Sequence, residues 1–380
     1  MNNIRYFDHA ATTPLKEDVL KEMLPYFSLK FGNGSSIYGL GRESKRAIEN
    51  AREKVASAIY ARPNEIYFTG CGSESDNIAI KGVAYANKNK GNEIITTKIE
   101  HPAILNTCKV LEKEGFKVTY LNVDENGLIS LEELENAINE KTILISIMFA
   151  NNEIGTIEPI KHIGMIAKKH KVLFHTDAVQ AVGNVKINVN ELNIDLLSIS
   201  AHKFYGPKGV GALYVRNGVE FNKLQDGGHQ EKDKRAGTEN VPGIVGIGKA
   251  IEIAYNKLDI YNEKLTNLRD YYIYLVEKKL PEAKLNGHRI NRLPGNCNFS
   301  FKNIDAEPLL FKLDEKGICA SSGSACSSGN SNPSHVLMSI GLPSELAQGS
   351  LRVTFGEENT KEDVDYLVDN LVDIVNELRK

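Results

Sequence analysis

"DLLSISAHKFYGPKGVGALYV", residues 195–215, sets Lys203 directly after an apolar run and follows it with Gly206, Gly209 and Gly211. The run reads as a strand buried on both faces. Lysine is among the residues least often buried, because taking an ammonium out of water is costly unless it is paired or chemically used. Its stem leaves the carboxyl end of the strand, where open parallel sheets build their sites. A desolvated amine there has a lowered pKa and can form a Schiff base with an aldehyde. The competing reading is a surface lysine, one of 46 Lys plus Arg.

Working outward, β-branched apolar runs of strand length occur at 93–97, 117–122, 142–149, 171–176, 195–200 and 211–215, separated by helical segments such as "PAILNTCKVLEKEG" and "PIKHIGMIAKKHK". This alternation predicts an α/β fold with a mostly parallel sheet covered on both faces. Residues 42–60 place Ala47, Ile48, Ala51, Val55, Ala58 and Ile59 at helical spacing, which predicts an amphipathic packing helix. Beyond about residue 256 the pattern changes to long charged amphipathic helices around short strands in "GNCNFSFK" and "SLRVTF". The expected division is residues 1–255, an arm and a large domain, and residues 256–380, a smaller α+β domain. The segment "SSGSACSSGNSNPS", 321–334, has the Gly and Ser content of a flexible loop.

Composition limits the function. A hydrophobic content of 41%, a charged content of 25% and a net charge of −3 describe a globular chain with no long-range pull toward nucleic acid or an anionic membrane. The longest apolar run, "TILISIMFA", is too short to span a bilayer, and "MNNIRYFDHAATT" lacks the regions of a signal peptide, so a cytoplasmic location is expected. Five cysteines, Cys71, Cys108, Cys297, Cys319 and Cys326, form neither a disulfide framework nor a CxxC metal pattern.

Three further stretches sit at strand ends. "VLFHTDAVQAVG" ends a strand at Asp177, where a carboxylate could hold a pyridine nitrogen protonated or merely cap a helix. "YFTGCGSESDNIAIKG" runs from a strand through two glycines into a helix expected near Ser75; its backbone N–H groups, the helix dipole and the Ser73 hydroxyl suit an anion. In "TTKIEHPAIL" His101 could stack on an aromatic cofactor, although a lone histidine is more often a satisfied core or surface group. Each signal is weak alone. Together a phosphate cradle, a flat imidazole, a carboxylate and a lysine at the ends of one sheet answer the needs of pyridoxal 5′-phosphate.

The ordered motifs "FDHAATTP", "GSESDN", "EHPAIL", "NNEIGTIEPI", "HTDAVQAVG", "SAHKFYGPKGVGALYV", "RAGTENVPGIVG" and "SSGSACSSG" resemble, over nearly the whole chain, the pyridoxal-phosphate-dependent cysteine desulfurases of the NifS/IscS type, in the class V aminotransferase group of fold type I. The resemblance implies that Lys203 carries the cofactor, Asp177 faces its ring nitrogen and His101 stacks on the ring. It implies that Asn152 and Gln180 contact the ring and its phenolic oxygen. Gly72, Ser73, Ser200 and His202 would bind phosphate, with Thr238 of "RAGT" reaching across from the second subunit of a homodimer. Arg352 and Asn33 match positions that hold the substrate carboxylate. The chain departs from the family pattern at Gly34 and Tyr38, which bears on Asn33, and its tail beyond Arg352 is shorter than the one that docks scaffolds in the housekeeping branch.

Cys326 has no apolar neighbours to bury it, and a structural cysteine prefers the interior. It reads as a nucleophile on a tether, and the resemblance implies that it takes sulfur from L-cysteine, leaves alanine, and passes the sulfur to an acceptor protein, with Lys203 and His101 as proton carriers. Cys319 reads as the end of a buried strand, and Cys71, Cys108 and Cys297 as structural. Two other readings stay open: a selenocysteine lyase or aminotransferase on the same fold, for which Cys326 matters less, and a non-catalytic sulfur carrier or metal-binding protein using Cys319, Cys326 and His335, which has no use for Lys203.

Overall fold

A computed structural model describes residues 4–323 and 333–379. Cys326 lies outside the described residues, as do residues 324–332 of the segment read as a flexible loop. Seven strands form the main sheet in the order Ile66–Thr69, Gly211–Val215, Leu196–Ser200, Leu173–Asp177, Thr142–Ser146, Glu93–Thr97 and Lys117–Leu121. All neighbours are parallel except Gly211–Val215, which runs antiparallel to both of its partners. Every residue of Thr142–Ser146, Leu196–Ser200 and Gly211–Val215 is buried. Such strands carry continuous apolar runs, because helices cover both faces and leave no solvent side to alternate with.

Several element ends shift by one to three residues from the sequence reading, and at two of them a side-chain hydrogen bond gives the reason. The strand expected over 142–149 ends at Ser146. Beyond it, Ile147 and Phe149 still donate to the His175 and Asp177 carbonyls at 3.1 and 2.9 Å, but the Met148 N–H is taken by the Glu100 carboxylate at 2.9 Å and leaves the ladder. The helix expected near Ser75 begins at Gly72. Ser75 is buried inside it and its hydroxyl meets Thr69 Oγ1 at 2.8 Å and the Ala212 carbonyl at 3.1 Å, so it ties helix to sheet.

The amphipathic helix is Gly39–Ala58, which buries Ile48, Ala51, Val55 and Ala56. It packs against Val241–Asn256, and the approach is close: a Cβ on Gly248 would lie 2.7 Å from that of Ala51. The next helix, Leu258–Lys279, belongs to a second hydrophobic core with the sheet of Ser350–Thr354, Asn296–Ser300 and Lys284–Leu285 and the helix Lys361–Leu378. Tyr272 packs its ring edge-on against Phe299 and Phe355 there.

The amino-terminal arm joins the two cores. Arg5–Tyr6 pairs in parallel with Ile318–Cys319, and Phe7 is fully buried in the second core. The chain then crosses to the main sheet, where the Thr13 N–H donates to the His202 carbonyl at 3.0 Å. Among the described residues, no helix is long and apolar enough to cross a membrane.

Candidate active site

At the carboxyl ends of the parallel strands, under the arm, a cavity of about 180 Å³ is lined by Gly72, Ser73, His101, Asn152, Asp177, Gln180, Ser200, His202, Lys203 and Arg352 among others. Asp177 ends its strand and Lys203 stands three residues beyond Ser200 on the neighbouring one, with Asp177 in register with Ser198. The strand ends, the connections and helix turn that follow them, and the small-sheet strand that carries Arg352 thus gather ten of the residues singled out in the sequence.

Local interactions fix them. His101 caps the helix Pro102–Lys113: its Nδ1 accepts from the Ala103 N–H at 3.1 Å, so the neutral ring carries its proton on Nε2. Asp177 Oδ1 accepts from the Val179 N–H at 2.9 Å, which makes it the anchor of a turn as well as a cavity carboxylate. Lys203 Nζ donates to the Ala10 and Ala11 carbonyls of the arm at 2.5 and 2.7 Å. Gln180 Nε2 shares the Ala10 carbonyl at 3.0 Å, and His202 Nδ1 meets Thr12 Oγ1 at 3.1 Å. Arg352 is only 1% exposed; it pairs with Asp8 at 2.7 Å and donates to the Asn152 carbonyl at 3.2 Å.

Burial sets the electrostatics. It pushes the Asp177 carboxyl up, with His101 opposing, and pushes the His101 imidazole down, with Asp177 opposing. It lowers His202 to about 4, with Lys203 adding to the effect, and His175, behind the site, to about 3. Asp76 lines the cavity, is fully buried, and is driven well up by burial and by Asp177. Its Oδ1 has no hydrogen-bond partner among the described residues and lies 3.8 Å from His175 Nε2. His175 in turn bonds Ser146 and Ser198 at 2.9 and 3.0 Å.

Two residues fall elsewhere. Thr238 and Asn33 are exposed and do not line this cavity; the Asn33 side chain accepts from the Ser35 N–H within its own turn. Cys71 is exposed at the cavity rim instead of buried, because it is the residue before the first helical turn. Cys108 and Cys297 are buried, and desolvation raises both thiols to about 12, which keeps them inert. Cys319 is half-buried at the end of its strand, as expected. Asp8, Asp76 and the Ala10 and Ala11 carbonyls were missed. "FDHAATTP" was the signal for the first and last of these, but strand-end logic does not reach an arm.

The family model for aminotransferase class-V matches residues 5–367. The chain belongs to the class-V aminotransferase family. Within the family it is similar to the cysteine desulfurase IscS of Clostridium botulinum, 59% identical across 100% of this chain and 96% of that protein. It is also similar to the cysteine desulfurase IscS of Methanosarcina thermophila, 56% identical across 100% and 93%. Among solved structures it resembles a NifS-like protein with a TM-score of 0.93 and 40% identity, covering 98% of this chain and 99% of the other. A structure of SspA in complex with cysteine matches with a TM-score of 0.81 and 39% identity, covering 92% and 98%.

The lowered histidines give a pH prediction. A base whose folded pKa lies below its unfolded value of 6.5 contributes stability that is full above 6.5 and is lost as pH falls toward the folded value, here about 3 for His175. Buried acids push the opposite way, so the difference between two proteins carries the test. Between about pH 7.5 and about pH 4.5 the stability gap between wild type and His175→Gln is expected to narrow by roughly 2–3 kcal/mol in urea unfolding. A constant gap would mean that His175 is not held neutral.

Proposed function

We propose that this chain is a cysteine desulfurase that converts L-cysteine to L-alanine and passes the sulfur, through a cysteine persulfide, to an acceptor protein for iron–sulfur cluster or other sulfur-containing cofactor or tRNA synthesis. The carrying observation is the single cavity that holds Lys203, Asp177, His101 and Arg352, in a chain 56–59% identical over its whole length to proteins named cysteine desulfurase IscS.

The cavity fits pyridoxal 5′-phosphate. A Cβ on Gly72 would lie 2.7 Å from Val179 Cγ2, so glycine keeps the first helical turn open to the cavity. The N–H groups of that turn and the side chains of Ser73, Ser200 and His202 are a donor set for a phosphate. Asp177 would face the ring nitrogen, Lys203 would hold the cofactor, His101 would lie against the ring, and Asn152 and Gln180 would contact it. When bound, the cofactor supplies the electron sink that loosens bonds around the substrate α-carbon.

The chain's own residues do the rest. Arg352 binds the substrate carboxylate, and His101 and Lys203 move protons, since a histidine kept neutral by burial can accept one. Cys326, outside the described residues, is the acceptor thiol. Its thiolate attacks the substrate sulfur, the S–S bond forms as the C–S bond breaks, and the bonding pair stays on carbon, which takes a proton and becomes alanine.

We further infer a homodimer working in the cytoplasm, divided near residue 256. Phe27, Leu29, Phe31 and Ile37 are 61–90% exposed along one stretch of the arm region, a surface suited to a second copy. Thr238 is exposed and outside its own chain's cavity, where it is able to serve a partner's phosphate site. Helices end at Asn256 and restart at Leu258, between the two cores.

Lys203→Ala is expected to abolish turnover while the protein stays folded; a visible band still trappable by borohydride in this variant would move the cofactor's anchor elsewhere. Cys326→Ser should bind cofactor and cysteine as judged by absorption but lose catalytic formation of alanine and sulfide, and undiminished turnover would remove the role from Cys326. Mixed Lys203→Ala and Thr238→Ala protomers should regain activity, because one of the two sites then holds both residues; absence of rescue, with each parent inactive, would place Thr238 outside the partner's site.

A further inference from the structure

Arg352 is a buried cation on the strand Ser350–Thr354. Among the described residues the acid it pairs with is Asp8, whose Oδ1 accepts from Nη2 at 2.7 Å. Nη1 is taken by the Asn152 carbonyl at 3.2 Å. Nε is buried and has no partner among the described residues. An unsatisfied buried donor costs roughly 1–3 kcal/mol, so native proteins seldom keep one without a use. Here it belongs to a guanidinium that lines the cavity beside Lys203 and His101. A carboxylate of the substrate in that cavity would meet a guanidinium whose hydrogen-bonding capacity is not yet filled.

We propose that Asp8 is the positioning residue for Arg352, fixing the guanidinium at the cavity wall and offsetting its charge, so that a substrate carboxylate is recognised without being trapped. The inference rests on the reading of Arg352 as the carboxylate site. Its chemical reason lies in the product. Alanine carries the same carboxylate as cysteine, and a desolvated guanidinium with no counter-ion would hold both too tightly to turn over. Asp8 already neutralises the pair before the amino acid arrives. Two contacts fix Asp8: Ser321 Oγ donates to Asp8 Oδ2 at 2.7 Å, and its backbone bridges to Thr354, whose N–H donates to the neighbouring Phe7 carbonyl at 2.7 Å.

The test uses cofactor-loaded enzyme. Asp8→Asn keeps the shape and an oxygen for Nη2 but removes the charge. The KM for L-cysteine and the Ki for L-alanine should both fall about tenfold, from the loss of a like charge a few ångströms from the bound carboxylate, with no change in the cofactor's visible band. Ser321→Ala removes the other hydrogen bond to Asp8 and keeps the charge; both constants should stay within about twofold. Unchanged or raised constants in Asp8→Asn, or an equal shift in Ser321→Ala, overturn the proposal. Wild type supplies a second reading that needs no variant. L-alaninamide, which lacks the negative charge, should inhibit within about thirtyfold of L-alanine, because the guanidinium is already offset, and a larger gap overturns the proposal. Failure of wild type to make alanine from cysteine would instead defeat the desulfurase reading.

Discussion

Keeping charged groups out of water is the constraint around which this molecule is arranged. Asp76, Asp177 and Arg352 are buried, and all line one cavity with Lys203. Isolated ionised groups in such a place would unfold the protein or lose their charge. The structure answers each differently. Arg352 has Asp8, Lys203 has the arm carbonyls, Asp177 has a turn N–H, and the histidines are held neutral. Among the described residues Asp76 Oδ1 and Arg352 Nε remain without partners, on two residues that line the cavity proposed for a charged cofactor and a zwitterionic substrate.

The same constraint explains the crossing of the amino-terminal arm. A strand pair at Arg5–Tyr6 and a buried Phe7 fix the arm to the second core. A few residues later its carbonyls meet Lys203 and its Thr13 meets the loop of His202. One segment therefore satisfies two cations that different cores supply, Arg352 from the smaller sheet and Lys203 from the larger. Whatever enters the cavity meets both cations with the arm already between them.

This arrangement also decides what was legible in the sequence. The strands Glu93–Thr97 and Gly211–Val215 read out residue for residue, because both are short runs rich in β-branched or apolar residues, buried except at Glu93. Lys203, Asp177 and His101 read out because a titratable residue after such a run has nowhere to go except the sheet's carboxyl edge. The strand end at Ser146 did not, since it depends on a carboxylate 48 residues away in sequence taking one N–H. The helix start at Gly72 was hidden by Ser75, which looks like a cap but spends its hydroxyl inside the protein. Thr238 and Asn33 were named by resemblance alone, and a single chain does not bring them to the cavity.

Asp8 is the instructive omission. An aspartate in "FDHAATTP" has only the two-residue strand Arg5–Tyr6 before it and no helix directly after it, so periodicity gives it no address. Its meaning comes from Arg352, 344 positions away, and a buried arginine is recognisable only once the strand that carries it is known to be covered. Read in that direction, a buried guanidinium demands a counter-ion, a counter-ion on a separate segment demands that the segment be pinned, and Phe7, Ser321 and Thr354 are the pins. The course of residues 5–13 is thus tied to the charge of one side chain near the other end of the chain.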